Sequence, residues 1–145
     1  NRTLLALFDI DGTLVRRAGP HHGEALEAAC RQVTGVPASM AGIPTAGMLD
    51  RDILRLMMQN AGLSRARIEA VLPEVMRRAP RYYRRRCPDL RAKVCPGVPA
   101  VLQMLRRRRV VCGLVTGNLR RIGWRKVERA GLRSHFRLGA FSDMG

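Results

Sequence analysis

The chain has 145 residues, 46% of them hydrophobic and 26% charged, which is typical of one globular domain with a core of ordinary size. Its apolar runs are well short of a membrane span, so no membrane partner is expected. Twenty-seven Lys and Arg residues against 11 Asp and Glu give a formal net charge of +16. We interpret the excess as solvated helix faces, because hardly any aromatic residues are interleaved with it; nucleic acid is therefore an unlikely but not an excluded partner.

The first predicted element is a buried strand over residues 4–9 that ends in two carboxylates. Asp9 and Asp11 stand two residues apart, so both side chains point to one face of an extended chain. Gly12 follows them and allows the backbone to approach an anion closely. Two neighbouring acids are costly unless a cation or a shared proton relieves their repulsion. The pattern therefore suggests a divalent metal and a phosphate at the carboxyl end of this strand, where open α/β sheets bind ligands.

The next seventy residues are predicted to be almost wholly helical. A flap runs from the strand to residue 20, and helices are predicted over residues 24–33, 50–60 and 65–76. Ser64 is the expected N-cap of the third helix, which should continue in pieces past Pro80 to residue 86.

A second strand with a polar end follows this helical block. A helix is predicted over residues 99–108, and the β-branched apolar run of residues 110–115 reads as a buried strand. A further helix over residues 119–130 and a short strand near residues 138–141 complete the pattern. The prediction is thus an α/β fold, with a Rossmann-like parallel sheet as its core and a helical block inserted between the first two strands.

The four cysteines are predicted to be reduced, mostly structural thiols. Their spacing offers no paired metal-ligand motif, which favours a cytoplasmic protein. They are Cys30, Cys87, Cys95 and Cys112.

Three motifs together resemble the haloacid dehalogenase superfamily of phosphohydrolases, in the subgroup with a helical cap after the first strand. They are residues 8–14 (FDIDGTL), 94–98 (VCPGV) and 114–118 (LVTGN). Among its members, the chain looks most like phosphoglycolate-phosphatase and phosphoglucomutase types. The resemblance implies a Rossmann-like core formed by residues 1–19 and 91–145 and a helical cap formed by residues 20–90.

The resemblance also implies a Mg²⁺-dependent phosphatase that acts on a small phosphorylated metabolite. Asp9 would be the nucleophile that forms an aspartyl-phosphate, and Asp11 would act as general acid and then as general base. Asp9 and the backbone carbonyl of Asp11 would hold the Mg²⁺. Lys126 would neutralise the phosphoryl group, unless it is a surface residue of its helix and Arg120 or Arg121 replaces it. The expected phosphate-binding residues are Gly12, Thr116, Gly117, Asn118 and Lys126.

Two alternatives stay open, and one departure from the family pattern stands out. A phosphomutase would share Asp9 and Asp11, and a non-catalytic, arginine-rich nucleic-acid-binding protein is the alternative from another class. The family's last motif places aspartates on a later strand, but Asp143 follows the second strand too soon to fit it. We therefore expect a chain cut short before that motif and weakly active as it stands. Substrate choice is expected from the cap and from the flap residues Arg16, Arg17, His21 and His22.

Overall fold

Three parallel strands form the sheet of this protein, which a computed structural model describes over residues 2–144. The strands are β1 (Leu5–Phe8), β2 (Val111–Val115) and β3 (Phe136–Ala140), in the order β1-β2-β3. Both pairings are parallel, and Phe8 lies opposite Leu114. The residues that follow β1 and β2 therefore emerge side by side at one edge of the sheet. The predicted α/β class is confirmed.

The helices lie where the hydrophobic periodicity placed them, within a few residues. Between β1 and β2 the chain forms α1 (His21–Thr34), α2 (Asp50–Asn60), α3 (Arg65–Arg86) and α4 (Val98–Arg107). Helix α5 (Arg120–Arg129) joins β2 to β3, and short 3-10 turns occupy Arg91–Lys93 and Arg133–His135. None of the helices in the described part of the chain is both long and apolar enough to cross a bilayer.

Helix α3 is continuous over 22 residues, so the prediction that it breaks into pieces is wrong. The side chain of Ser64 accepts a hydrogen bond from the backbone amide of Arg67 at 3.2 Å, as expected of an N-cap. Pro73 and Pro80 lie inside the helix and each costs about 3 kcal/mol in an isolated helix. Packing of the apolar side of α3 against α1 offsets that cost, because each fully buried aliphatic side chain contributes about 1.5–3 kcal/mol. The buried residues of this side include Ile68, Leu72, Val75 and Ala79.

Helix α5 packs closely against one face of the sheet. Gly123 permits this approach, because a Cβ atom there would lie 2.9 Å from the ring of Phe141 and 3.3 Å from Ile10. The rings of Trp124 and Phe141 pack with their centroids 5.5 Å apart. On the opposite face Leu7 and Leu138 flank Gly113 and keep 54% and 45% of their surface exposed. The core therefore lies on the α5 side of the sheet. The prediction that the first strand is buried is wrong, because the residues of β1 alternate between exposed and half-buried.

The N-terminus of α2 is docked on the loop that follows β2. The backbone amide of Asp50 donates to the carbonyl oxygen of Gly117 at 2.8 Å, and the amide of Arg51 donates to Ser142 Oγ at 2.9 Å. These contacts join the helical block to the sheet edge where the polar residues lie. The division into a core of residues 1–19 and 91–145 and a cap of residues 20–90 stays a prediction, and Asn1 and Gly145 lie outside the described residues.

Candidate active site

A cavity of about 700 Å³ opens at the carboxyl ends of β1 and β2. Both predicted polar strand ends reach it, since Asp9 and Asp11 line one side and residues 116–118 line another. The remaining wall comes from α1, α2 and the loop between them. It includes His22, Leu26, Met40, Thr45, Met48, Leu49, Asp50 and Ile53. The two strand ends and the helical block thus enclose one site.

The turn after β1 is held by backbone hydrogen bonds and a glycine. The carbonyl oxygen of Ile10 accepts from the amides of Leu14 and Val15 at 2.9 and 3.1 Å. Gly12 has φ +84°, a left-handed conformation that favours glycine, and its amide donates to the Val15 carbonyl at 2.8 Å. Gly12 lies outside the cavity lining, so its visible role is to turn the chain. Asp9 lines the cavity, and its Oδ1 accepts from the amide of Ile10 at 2.7 Å.

Lys126 is a buried residue of α5, with 1% of its surface exposed, and not a surface lysine. Its Nζ lies 2.9 and 3.0 Å from the two carboxylate oxygens of Asp11. It also lies 2.9 Å from Nδ1 of His22. A buried ammonium needs such partners, because an unpaired charge in the interior is very costly. The structure therefore brings together Asp11 and Lys126, which are separated by 115 positions in sequence.

Thr116 and Asn118 form a second hydrogen-bonded group beside Asp11. Asn118 Nδ2 donates to Asp11 Oδ2 at 2.8 Å and to Thr116 Oγ1 at 2.6 Å, and the Asn118 amide donates to the same Oγ1 at 3.1 Å. Because the Thr116 hydroxyl oxygen already accepts twice, its own hydrogen is available to an acceptor in the cavity. The backbone amide of Asn118 was expected to bind the phosphate, but it donates its hydrogen bond to Thr116 instead.

The N-terminus of α5 is occupied by carboxylates of the chain itself. Asp50 Oδ2 accepts from the amide of Leu119 at 2.8 Å, and Asp143 Oδ1 accepts from the amide of Arg120 at 2.9 Å. Carboxylates are favourable at this end of a helix because the backbone dipole is positive there. Asp143 therefore caps α5. The backbone amides of Gly117 and Asn118 were both expected to bind a phosphate at this helix start, and since that of Asn118 is bonded to Thr116, the Gly117 amide is left for this role.

The surroundings of Asp11 favour its ionised form. Burial by itself raises the pKa of Asp11, but the Lys126 ammonium and the hydrogen bond from Asn118 outweigh this and hold it below its ordinary value. Asp11 is therefore a carboxylate that can accept a proton as the site stands.

The sequence placed His22 near the site as a flap residue for substrate choice, but it did not indicate the contact of His22 with Lys126 or any role for Asp50 here. Asp50 was predicted as the first residue of a helix, where an acid is common because of the helix dipole. In the structure it is 2% exposed and its Oδ2 lies 2.8 Å from Nε2 of His22. Arg16 and Arg17, also expected near the site, are exposed and lie outside the cavity lining.

The donors at the strand ends fit a hard divalent cation that keeps most of its water. Within residues 2–144 no group of three or more His, Cys, Asp or Glu side chains is placed to hold a metal. The Asp11 carboxylate is paired with Lys126, and the oxygens that the resemblance assigns to the metal are the Asp9 carboxylate and the Asp11 backbone carbonyl, both on residues that line the cavity. Mg²⁺ is commonly held by one or two protein oxygens, with water and substrate phosphate completing its octahedron. The residues present therefore fit Mg²⁺ and not a closed, all-protein metal cage.

Comparison with known proteins gives a family match over nearly the whole chain. The family model of haloacid dehalogenase-like hydrolases matches residues 4–143. No curated protein sequence gives a significant match.

Solved structures resemble the chain in fold. CbbY from Rhodobacter sphaeroides in complex with phosphate is 17% identical, with a TM-score of 0.67 over 99% of this chain and 65% of that one. A predicted phosphoglycolate phosphatase from Haemophilus somnus is 19% identical, with a TM-score of 0.57 over 97% and 63%. A HAD hydrolase of family IA from Entamoeba histolytica is 17% identical, with a TM-score of 0.53 over 99% and 62%. The chain thus spans somewhat less than two thirds of the length of these structures, and at these identities they show the fold alone.

Proposed function

Because the chain belongs to the haloacid dehalogenase-like hydrolases, we propose that it forms the catalytic site of a Mg²⁺-dependent phosphatase. The substrate is a small phosphorylated metabolite, and the reaction passes through an aspartyl-phosphate on Asp9. One observation above all supports this proposal: Asn118 and Lys126, which are 107 and 115 positions from Asp11 in sequence, both donate hydrogen bonds to its carboxylate within 3.0 Å. Such a group at the end of a parallel sheet supplies a carboxylate and an amide to one cavity, with a cation behind the carboxylate.

Asp9 is the nucleophile in this mechanism. One of its carboxylate oxygens forms a bond to phosphorus while the bond from phosphorus to the alcohol oxygen of the substrate breaks. Asp11 donates a proton to that oxygen as the alcohol leaves. Water then attacks the phosphorus, Asp11 takes a proton from the water, and the Asp9 carboxylate is released together with inorganic phosphate. Two displacements in sequence thus replace one difficult hydrolysis.

Lys126 links the protonation of Asp11 to the presence of substrate. As the site stands, both oxygens of Asp11 face the Lys126 ammonium, which favours the carboxylate. A phosphoryl group in the cavity offers Lys126 a doubly charged partner, and this weakens its hold on Asp11. Asp11 can then carry the proton that the leaving alcohol needs.

The remaining polar groups hold the phosphoryl oxygens. Thr116 donates its hydroxyl hydrogen, and Gly117, which lines the same cavity, donates its backbone amide. The Asp9 carboxylate and the Asp11 carbonyl would hold Mg²⁺, which when bound reduces the repulsion between the anionic nucleophile and the anionic phosphate. The alcohol part of the substrate lies against the apolar wall formed by Leu26, Met40 and Met48.

The proposal is tested by trapping the phosphoenzyme. The chain is incubated with acetyl phosphate and Mg²⁺, quenched in acid, and its intact mass is measured. We expect one added phosphoryl group on the unmodified chain and none on Asp9→Asn. The matched control is Asp52→Asn, which removes an exposed carboxylate of α2 that pairs with Arg55, and it should be phosphorylated as the unmodified chain is.

Hydrolysis of p-nitrophenyl phosphate completes the test. Weak turnover that requires Mg²⁺ and disappears in Asp9→Asn supports the phosphatase. A phosphoryl adduct that survives in Asp9→Asn, or turnover without Mg²⁺, contradicts the assignment of Asp9. Phosphoryl transfer to a sugar phosphate at the expense of hydrolysis favours the phosphomutase instead.

A further inference from the structure

Two residues of the helical block, His22 on α1 and Asp50 on α2, join the catalytic lysine to the loop after β2. His22 lies between two charges, with Nδ1 2.9 Å from Lys126 Nζ and Nε2 2.8 Å from Asp50 Oδ2. Neither residue belongs to the strand ends that supply Asp9, Asp11 and Thr116. From the strand ends the Lys126 ammonium receives the Asp11 carboxylate as a partner, and the helical block supplies His22.

The donors and acceptors of this chain of contacts are fixed by chemistry. An ammonium group only donates, so Nδ1 of His22 must accept from Lys126. The ring then carries its hydrogen on Nε2 and donates it to the Asp50 carboxylate. Asp50 Oδ2 accepts a second hydrogen bond from the amide of Leu119 at 2.8 Å. Each nitrogen and oxygen in this series of contacts is therefore either a donor or an acceptor, and the tautomer of His22 is determined.

Burial makes these contacts important for the position of Lys126. Lys126 is 1% exposed and Asp50 2% exposed, so water cannot replace a missing partner at either end. Asp11 accepts hydrogen bonds from the Lys126 ammonium, and His22 accepts another from it. Without His22 the Lys126 ammonium would lose one of its hydrogen-bond partners and would be free to turn away from Asp11.

Asp50 also ties this chain of contacts to the phosphate-binding loop. Its backbone amide donates to the Gly117 carbonyl at 2.8 Å while its carboxylate holds the Leu119 amide. Asp50 thus holds Gly117 and Leu119, the two neighbours of Asn118, and also orients the His22 ring. A displacement of α2 would move the loop and the lysine together.

We propose that His22 and Asp50 are positioning residues that hold the Lys126 ammonium against Asp11, the residue that exchanges a proton with the substrate in the proposed reaction. The helical block is then a part of the catalytic centre and not only a cover over it. This proposal rests on the proposed phosphatase function, but the hydrogen-bond arrangement on which it depends can be tested without activity.

The first test is NMR spectroscopy of the protein labelled with ¹⁵N in histidine and lysine. The chain has three histidines and two lysines, of which Lys93 is exposed and serves as an internal reference. We expect His22 to be unprotonated at Nδ1 and protonated at Nε2, and the Lys126 ammonium to exchange its hydrogens much more slowly than Lys93. A hydrogen on Nδ1 of His22, or equal exchange at the two lysines, overturns the proposal.

The second test compares variants by the rate of phosphoenzyme formation from acetyl phosphate. We expect His22→Ala to slow formation about tenfold or more at saturating acetyl phosphate, because a hydrogen bond to a charged group is lost. The apparent KM should change much less, because the lysine acts mainly in the transition state. His22→Asn retains an acceptor near Nδ1 and should recover part of the rate, and Asp50→Ala should resemble His22→Ala.

The control is His135→Gln, in the 3-10 turn at the opposite end of β3, which should match the unmodified chain. Faster ammonium exchange at Lys126 in a folded His22→Ala chain supports the proposal, and an unchanged exchange rate overturns it. Equal loss of rate in His22→Ala and His22→Asn also overturns it, because a merely structural role predicts no rescue. If the unmodified chain forms no phosphoenzyme, the phosphatase fails, and the NMR results still decide the roles of His22 and Asp50.

Discussion

At Gly117 the loop after β2 lies in close contact with the helical block. A Cβ atom at this position would lie 2.5 Å from the carbonyl oxygen of Met48 and 3.3 Å from the Cα atom of Leu49. Gly117 is not one of the glycines with positive φ, so its backbone accepts an alanine. The effect of Gly117→Ala is therefore a steric one, and both obstructing atoms belong to the backbone and cannot rotate away.

The distances give the size of the effect. To bring the contact from 2.5 to 3.0 Å, the Met48 carbonyl must retreat by about 0.5 Å. This movement stretches the 2.8 Å bond from the Asp50 amide to the Gly117 carbonyl and disturbs the bond from Leu119 to Asp50. Each hydrogen bond contributes about 0.5–1.5 kcal/mol, and overpacking costs a similar amount. We expect the free energy of unfolding to fall by about 1–3 kcal/mol, and Tm by about 3–10 °C for a chain of this length.

Urea titration and thermal melting measure this change, with Gly23→Ala as the matched control. Gly23 lies inside α1, and a Cβ atom there would meet only the flexible Met40 side chain at 3.4 Å. Alanine is the better helix former, so Gly23→Ala should raise the free energy of unfolding by up to about 1 kcal/mol. If Gly117→Ala unfolds at the same urea concentration as the unmodified chain, the close docking of α2 described above is incorrect.

Three further predictions concern single side chains. Iodoacetamide should modify the half-exposed Cys95 first, and Cys30 should react only on unfolding, since burial and then the Glu27 charge raise the pKa of that thiol to about 12. The pKa of Asp11 is lowered in the folded state, so its ion pair stabilises the fold above the ordinary carboxyl pKa and is lost as the pH falls through the lowered value. The difference in unfolding free energy between the unmodified chain and Asp11→Asn should therefore shrink as the pH falls below the ordinary carboxyl pKa and through the lowered one; a constant difference contradicts the ion pair. Lys126→Met should abolish phosphoenzyme formation but change the free energy of unfolding by no more than about 1 kcal/mol. The variant loses the ion pair with Asp11, but it also no longer buries a charge, and the Asp11 carboxylate keeps access to water. A fall of several kcal/mol in the free energy of unfolding would refute this.

The elements and the meeting of the two strand ends could be predicted because local patterns determine them. The apolar run before Asp9 and the β-branched run before Thr116 each specify a strand, and a parallel sheet brings their carboxyl ends to one edge. The bounds of α2 are the predicted residues 50–60, because glycines just before and just after this range limit the helix on both sides. Site residues that directly follow a strand can therefore be predicted from the sequence.

The contacts made by the helical block could not be predicted in the same way. Asp50 reads as an acid at a helix start, and only the docking of α2 on the loop turns it into a buried partner of His22. The continuity of α3 through Pro73 and Pro80 likewise depends on packing against α1, which no local pattern describes. The occupied N-terminus of α5 follows from tertiary placement as well, since its two carboxylates lie 69 and 23 positions away in sequence.

We expect any effect of the net charge of +16 to fall on the approach of an anionic substrate and not on the chemical step. Among the described residues that line the cavity none is Arg or Lys, whereas Asp9, Asp11 and Asp50 all are part of it. The Lys126 ammonium lies behind Asp11, and the arginines act only as a long-range field that attracts anions. Salt screens such a field over about 10 Å at 0.1 M. Raising the ionic strength should therefore lower kcat/KM for a phosphate ester several-fold and leave the rate of phosphoenzyme formation at saturation almost unchanged. An equal loss in both quantities would show that an exposed arginine contacts the reacting phosphoryl group.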